Sequence, residues 1–133
     1  MYSSTHYKLL RGCALKKVLL IEDDEQIVHL IERQLQSQKL RFQLMHTNTV
    51  EFARKLFENY QNSIMLIAVD GTLGGDGIDQ ASELVRYFRN NHYYGPILAT
   101  SSSLENQRRL VSMGCDRGVE KIKISNEVSR LCA

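Results

Sequence analysis

Short apolar runs alternate with amphipathic segments along most of this chain. The runs at 18–21 and 64–69 are continuously apolar, which is typical of strands buried on both faces. The segments between the runs place apolar residues three or four positions apart, the period of a helix that buries one face. We expect the strand at 64–69 to be central, because it is the longest apolar run. Further strands are predicted at 42–45, 97–99 and 118–121.

The helices predicted between these strands each have an inward apolar stripe. A fourth helix is expected at 104–113, closing at Gly114, and a short last helix at 126–131. The stripes of the first three helices are Ile27, Leu30, Ile31 and Leu35; Ala53, Leu56, Phe57 and Tyr60; and Ile78, Ala81, Leu84, Val85 and Phe88.

Strict alternation of strands and helices favours right-handed crossovers and a parallel sheet. We therefore predict an α/β fold: a doubly wound, five-stranded parallel sheet with helices on both faces. The length of 133 residues and the hydrophobic fraction of 43% suit one domain. We assign residues 1–15 to an N-terminal arm and 16–133 to the domain.

Charge and cysteine content narrow the range of partners. The 17 basic and 15 acidic residues are well mixed, so we expect no direct nucleic-acid partner. Cys13, Cys115 and Cys132 are odd in number and widely spaced, which fits neither a disulfide framework nor paired zinc ligands. No apolar stretch suits a signal peptide or a membrane span. We expect a soluble cytoplasmic protein.

Polar and charged side chains follow the predicted strands or lie at their ends. Open parallel sheets bind ligands beyond the carboxyl ends of their strands, so we expect these side chains to converge at one edge. Crowded carboxylates repel one another unless a cation lies among them, and oxygen ligands with room for water and phosphate suit Mg²⁺. A lysine and a hydroxyl beside them would bind a phosphoryl group, so the pattern predicts phosphoryl transfer to a carboxylate. The set comprises Glu22, Asp23, Asp70, Thr100, Ser101 and Lys121.

The segments VLLIEDD, IMLIAVDGTLGGDG, PILATSS and MGCDRGVEK resemble the receiver domains of bacterial two-component response regulators, which have a flavodoxin-like topology. The resemblance covers residues 17–131. It implies that Asp70 takes a phosphoryl group from a sensor histidine kinase or a phosphotransfer protein. It also implies that Glu22, Asp23 and Asp70, with the carbonyl of Thr72, hold Mg²⁺.

The same resemblance assigns the remaining site residues. Ser101 corresponds to the hydroxyl that moves toward the phosphoryl group, with Thr100 as the alternative, and Lys121 corresponds to the lysine that pairs with it. Such a domain promotes only its own phosphorylation and dephosphorylation and is otherwise not an enzyme. The resemblance implies that a downstream protein, whose identity is open, recognises the changed surface. Whether the chain forms a homodimer is open too.

The chain departs from this family pattern in ways that bear on function. The loop at 71–77 lacks the usual proline and is one residue short, Gly118 replaces an aromatic residue, and Ile122 replaces a proline. These departures favour an alternative: a degenerate pseudo-receiver that binds proteins without phosphotransfer. Flavodoxin-like cofactor binding is disfavoured, because acids that follow the first strand would repel phosphate.

Other polar residues have structural interpretations. Asp24 and Glu25 are expected to cap a helix, and Asp76 is expected to shape a turn. Cys115 is expected to be a small buried side chain. The histidines are scattered, and none has a metal-ligand partner at the usual spacing.

Overall fold

The computed structural model describes residues 16–38, 42–73 and 79–132 of the chain. The predicted arm at 1–15 and the expected turn at Asp76 lie outside these ranges, as does Ile78. The strands are β1 (Lys16–Ile21), β2 (Phe42–Thr47), β3 (Ile64–Asp70), β4 (Ile97–Thr100) and β5 (Arg117–Val119). The helices are α1 (Glu25–Ser37), α2 (Val50–Tyr60), α3 (Asp79–Asn90), α4 (Leu104–Ser112) and α5 (Ile124–Cys132), with short 3₁₀ turns at Gln61–Ser63 and Lys121–Lys123.

The strands form one five-stranded parallel sheet in the order β2-β1-β3-β4-β5. The predicted α/β fold with a central third strand is confirmed. The chain order reverses between β1 and β3, and Ile21 pairs with Val69 there. Asp70 pairs with Thr100 at the end of β3 and β4. The carboxyl ends of β1, β3 and β4 therefore lie side by side, which is where such sheets bind ligands.

Each face of the sheet carries its own hydrophobic core. Because side chains alternate along a strand, Ile67 and Val69 of β3 face one core and Leu66 and Ala68 face the other. Helices α2, α3 and α4 cover the first face, and α1 and α5 cover the second. Both faces of β3 are buried, which explains its uninterrupted apolar sequence.

Three helices begin at side-chain caps. Asp24 Oδ1 accepts a hydrogen bond from the Gln26 backbone N–H at the start of α1, which confirms the capping role predicted for Asp24. Thr49 and Ser103 cap α2 and α4 in the same way. Helix α4 ends just before Gly114, whose φ of 129° suits a residue without a side chain.

Three details of the sequence prediction are wrong. Tyr60 is 40% exposed rather than buried, and the Lys17 ammonium lies 5.0 Å from the centre of its ring. Lys121 lies beyond β5, which ends at Val119, and begins a 3₁₀ turn. The last helix is longer than expected, because Ile124 and Val128 are buried against the second core.

No helix within the described ranges is both long and apolar enough to cross a membrane.

Candidate functional site

Three carboxylates meet at the carboxyl ends of the adjacent strands β1 and β3. Glu22 and Asp23 directly follow β1, and Asp70 is the last residue of β3. One oxygen from each lies within 4.8 Å of the others. Glu22 and Asp70 are fully buried, whereas Asp23 is exposed. The structure thus brings together the three acidic residues singled out in the sequence.

Lys121 reaches this cluster from the turn after β5. Its Nζ lies 3.0 Å from Glu22 Oε1 and 3.3 Å from Asp70 Oδ2, and it donates a hydrogen bond of 3.1 Å to Glu22 Oε2. Lys121 is itself largely buried, so the attraction is screened less than on an open surface. The lysine therefore bridges the two buried carboxylates.

The two buried carboxyl groups have opposite pKa shifts. Burial raises the pKa of Glu22 from 4.5 to about 7; the Asp24 N–H opposes this shift and the negative charge of Asp70 adds to it. Burial would raise the pKa of Asp70 too, but the hydrogen bonds from Thr72, the adjacent Glu22 carboxyl group and the charge of Lys121 lower it overall. Without a metal ion, the first proton therefore resides on Glu22 and leaves Asp70 ionised.

Asp70 is oriented through only one of its two carboxylate oxygens. The backbone N–H and the hydroxyl of Thr72 each donate a 3.0 Å hydrogen bond to Asp70 Oδ1. Oδ2 is buried and accepts no hydrogen bond from the described residues, although the Lys121 ammonium is within ion-pair distance. Oδ2 is therefore the oxygen with free lone pairs. The predicted role of the Thr72 carbonyl as a metal ligand stays a prediction.

The two candidate hydroxyls differ in their surroundings. Thr100 Oγ1 donates a 3.2 Å hydrogen bond to the carbonyl of Val69 and is fully buried. Ser101 Oγ accepts a 3.0 Å hydrogen bond from the Ser103 N–H. This bond uses a lone pair of the Ser101 oxygen, so its hydroxyl proton is free to donate. The geometry favours Ser101 over Thr100 as the donor to an incoming group, and this role stays a prediction.

Sequence reasoning missed two side chains that support the site. His46 on β2 makes a 2.8 Å hydrogen bond through Nε2 to the Glu22 carbonyl, which ties the end of β1 to its neighbour. Gln107 on α4 donates a 2.7 Å hydrogen bond from Nε2 to the Ser101 carbonyl. A scattered histidine and a polar helix residue carry no distinctive pattern, but a glycine inside β5 could have indicated a close approach there.

The donor set suits a hard divalent cation. All three carboxylates offer oxygen, and Glu22 Oε1 and Asp70 Oδ2 are buried without a hydrogen bond from the described residues. A buried anionic oxygen that accepts no hydrogen bond is stabilised by a nearby cation. Lys121 supplies one positive charge for two carboxylates, and a divalent metal would supply the rest. The residues present therefore fit the Mg²⁺ site predicted from the sequence.

Comparisons with known proteins agree on the fold. No protein-family model matches the sequence, and no curated protein is detectably similar to it. A response regulator receiver domain from Clostridium thermocellum is similar in structure, with a TM-score of 0.71, 14% identity and coverage of 89% of this chain and 94% of that one. A response regulator from Hahella chejuensis has a TM-score of 0.63, 26% identity and coverages of 87% and 86%. The Mn²⁺-bound response regulator Rcp1 has a TM-score of 0.68, 16% identity and coverages of 86% and 91%.

The class defined by this sheet and site is the doubly wound, flavodoxin-like α/β proteins that bind their ligands at the carboxyl edge of the sheet. Within that class, the chain has the fold of a response-regulator receiver domain. The resemblance predicted from the sequence is confirmed at the level of the fold.

Proposed function

We propose that this chain is the phosphoacceptor receiver domain of a two-component or phosphorelay system. Asp70 accepts a phosphoryl group from the phosphohistidine of a sensor kinase or of a phosphotransfer protein, and the product is recognised by a downstream protein. The single observation that carries this proposal is the buried cluster of Glu22 and Asp70 bridged by Lys121 at the carboxyl edge of the sheet. A fully buried aspartate with a lowered pKa is an ionised nucleophile at neutral pH.

The transfer step exchanges one phosphorus bond for another. Asp70 Oδ2 donates a lone pair to phosphorus while the bond between phosphorus and the donor's imidazole nitrogen breaks, and that nitrogen keeps the electron pair and takes a proton. Thr72 holds Oδ1 through two hydrogen bonds, which fixes the direction of the attacking oxygen. The ammonium of Lys121 lies beside Oδ2 and stabilises negative charge on the transferred group.

Glu22, Asp23 and Asp70 are the side chains that would hold Mg²⁺, with the Thr72 carbonyl as a further ligand. When bound, the ion neutralises the carboxylates and the phosphoryl oxygens. The Mn²⁺-bound response regulator of similar fold supports a divalent cation in such a domain. Ser101 then donates a hydrogen bond from its free hydroxyl to a phosphoryl oxygen, and the movement of Ser101 toward that oxygen changes the surface that a partner recognises.

The chemistry of the proposed site is confined to the chain itself. The chain promotes only the phosphorylation and dephosphorylation of its own Asp70. We place the protein in the cytoplasm, where the kinase domains of such systems act.

The proposal is tested by intact-mass analysis after incubation with acetyl phosphate and Mg²⁺. The native chain should gain one phosphoryl mass, and a chelator should abolish the gain. Asp70→Asn should show no gain. Asp24→Asn is the matched control, because it makes the same chemical change at a helix cap that asparagine also forms. Equal labelling of the native chain and Asp70→Asn would contradict the proposal, as would the absence of any labelling.

One observation favours a second candidate, the degenerate receiver that binds proteins without phosphotransfer. Lys121 already pairs with both buried carboxylates, and a proton on Glu22 balances the remaining charge near neutral pH. The cluster can therefore be satisfied without a metal ion. A titration calorimetry experiment that finds no binding of Mg²⁺ at neutral pH would favour this candidate over the first.

A further inference from the structure

Gln107 on α4 connects two strands that carry or flank the proposed site. Its side-chain Nε2 donates a 2.7 Å hydrogen bond to the backbone carbonyl of Ser101, the first residue after β4. Gln107 is half-buried between α4 and the sheet. The hydrogen bond of Gln107 therefore depends on the position of Ser101, because a hydrogen bond is lost when its two atoms move apart.

The absence of a side chain at Gly118 makes this position available to Gln107. A Cβ added to Gly118 would lie 2.7 Å from Gln107 Cβ and 2.9 Å from Gln107 Cδ, closer than real contacts allow. The glutamine side chain therefore lies directly against the backbone of β5. Gly118 pairs with Ala99 of β4, so the glutamine rests on the pair of strands that precede Ser101 and Lys121.

A second close approach holds α4 against the phosphoacceptor strand. A Cβ added to Gly71, the residue after Asp70, would lie 3.2 Å from Ser101 Cβ and 3.4 Å from Asn106 Cβ. The Gly71 N–H also donates a 2.7 Å hydrogen bond to the carbonyl of Thr100. Helix α4 thus packs on the segments that carry both proposed reacting side chains, with little free space for independent movement.

We propose that Gln107 is a positioning residue that couples the location of Ser101 to the location of α4. This inference rests on the proposed function, in which Ser101 moves toward a phosphoryl group on Asp70. When Ser101 moves, its backbone carbonyl moves with it. The hydrogen bond from Gln107 to this carbonyl then either holds, so that α4 moves with Ser101, or breaks, so that α4 is no longer held in place. The outer face of α4 exposes apolar side chains, Leu104 at 66% and Val111 at 39%, so its displacement alters a surface that a protein can read.

The test uses beryllofluoride with Mg²⁺ as a mimic of the phosphoryl group, followed by proton–nitrogen correlation spectra. In the native chain, the amide signals of Thr72, at the site, and Asn106, on α4, should both shift. Gln107→Met keeps the length of the side chain and removes the amide donor. The Thr72 shift should therefore persist, while the Asn106 shift falls to less than half of its value in the native chain. Gly118→Ala should have the same effect, because its methyl group displaces the glutamine. Arg108→Met, an exposed change on the same helix, should match the native chain.

The outcomes separate this inference from the proposed function. An undiminished Asn106 shift in both Gln107→Met and Gly118→Ala, with Thr72 responding normally, would overturn the coupling role and leave the phosphoacceptor proposal intact. No Thr72 shift in the native chain would overturn the proposed function and the coupling with it. Two variants that act on the same contact from opposite sides keep the test decisive if one of them fails to fold.

Discussion

The ammonium of Lys121 lies 3.3 Å from Oδ2 of Asp70, although the lysine lies beyond the last strand of the sheet. It reaches the aspartate from the 3₁₀ turn Lys121–Lys123, which follows the end of β5 at Val119. Burial alone would lower the pKa of Lys121, but the hydrogen bond to Glu22 and the charge of Asp70 together outweigh burial and raise the pKa. The lysine is therefore charged throughout the neutral range.

Replacing this lysine should destabilise the chain when no divalent metal is present. Lys121→Met leaves two buried carboxylates without a cation, and the loss of one partner from such a group costs about 3 kcal/mol. We expect a decrease of that size in the free energy of unfolding, measured by urea titration at neutral pH with a chelator. Added Mg²⁺ should restore part of the loss.

Lys55→Met is the control for this experiment, because Lys55 is exposed on α2. It should change the free energy of unfolding by no more than about 0.5 kcal/mol. If Lys121→Met were as stable as Lys55→Met in chelator, the bridging role of Lys121 would be refuted.

Arg89 should be a major source of stability away from the site. Its Nη1 donates to the carbonyls of Tyr93 and Gly95, its Nε donates to the carbonyl of Gly114, and its Nη2 pairs with Asp116. Lysine cannot reproduce this fork of donors. We expect Arg89→Lys to lower the free energy of unfolding by about 2 kcal/mol, because it leaves partly buried carbonyls without a donor.

The comparison for Arg89→Lys is Arg86→Lys on the exposed side of the same helix. Thermal unfolding should show a clear decrease in Tm for Arg89→Lys alone. Similar Tm values for the two variants would mean that these hydrogen bonds contribute little.

The thiol of Cys115 should be unreactive in the folded chain. Burial raises the pKa of Cys115 from 9.0 to about 12. The charge of Arg89 lowers this pKa and the charge of Asp116 raises it, both by less than burial does. Because only the thiolate reacts with iodoacetamide, alkylation at pH 8 should be slow and should accelerate as the pH approaches 12. Since the native pKa is the higher one, ionisation of the unfolded thiol above pH 9 also favours unfolding.

Peptide mapping after a short iodoacetamide pulse checks this prediction. Cys115 should be modified in denaturant and protected in buffer at pH 8. Equal labelling under the two conditions would show that the thiol is accessible and that its pKa is not raised by burial.

Much of the fold was predictable because the apolar pattern and the burial pattern coincide. The uninterrupted run at 64–69 identified the central strand, since only a strand covered on both faces requires apolar residues at every position. The burial predicted for Tyr60 was wrong because an aromatic residue at helical spacing usually indicates a core position. In the structure, the Tyr60 ring contacts the Lys17 ammonium at the surface. Periodicity alone does not distinguish these two environments.

The predicted site residues come together because parallel strands place their carboxyl ends at one edge. The structure does this for Glu22, Asp23 and Asp70, and Lys121 joins them from a turn rather than from a strand. Gln107 escaped prediction, because its contact depends on Gly118, a residue on a different element. Contacts of this kind arise from packing and have no local signal in the sequence.

The central claim, that Asp70 is the phosphoacceptor, is tested most directly by trapping the product. After incubation with acetyl phosphate and Mg²⁺, borohydride reduces an aspartyl phosphate to homoserine, which peptide mass spectrometry locates in the chain. The account predicts homoserine at position 70 in the native chain, and none when a chelator is present. Homoserine at another carboxylate, or at no position at all, would contradict it.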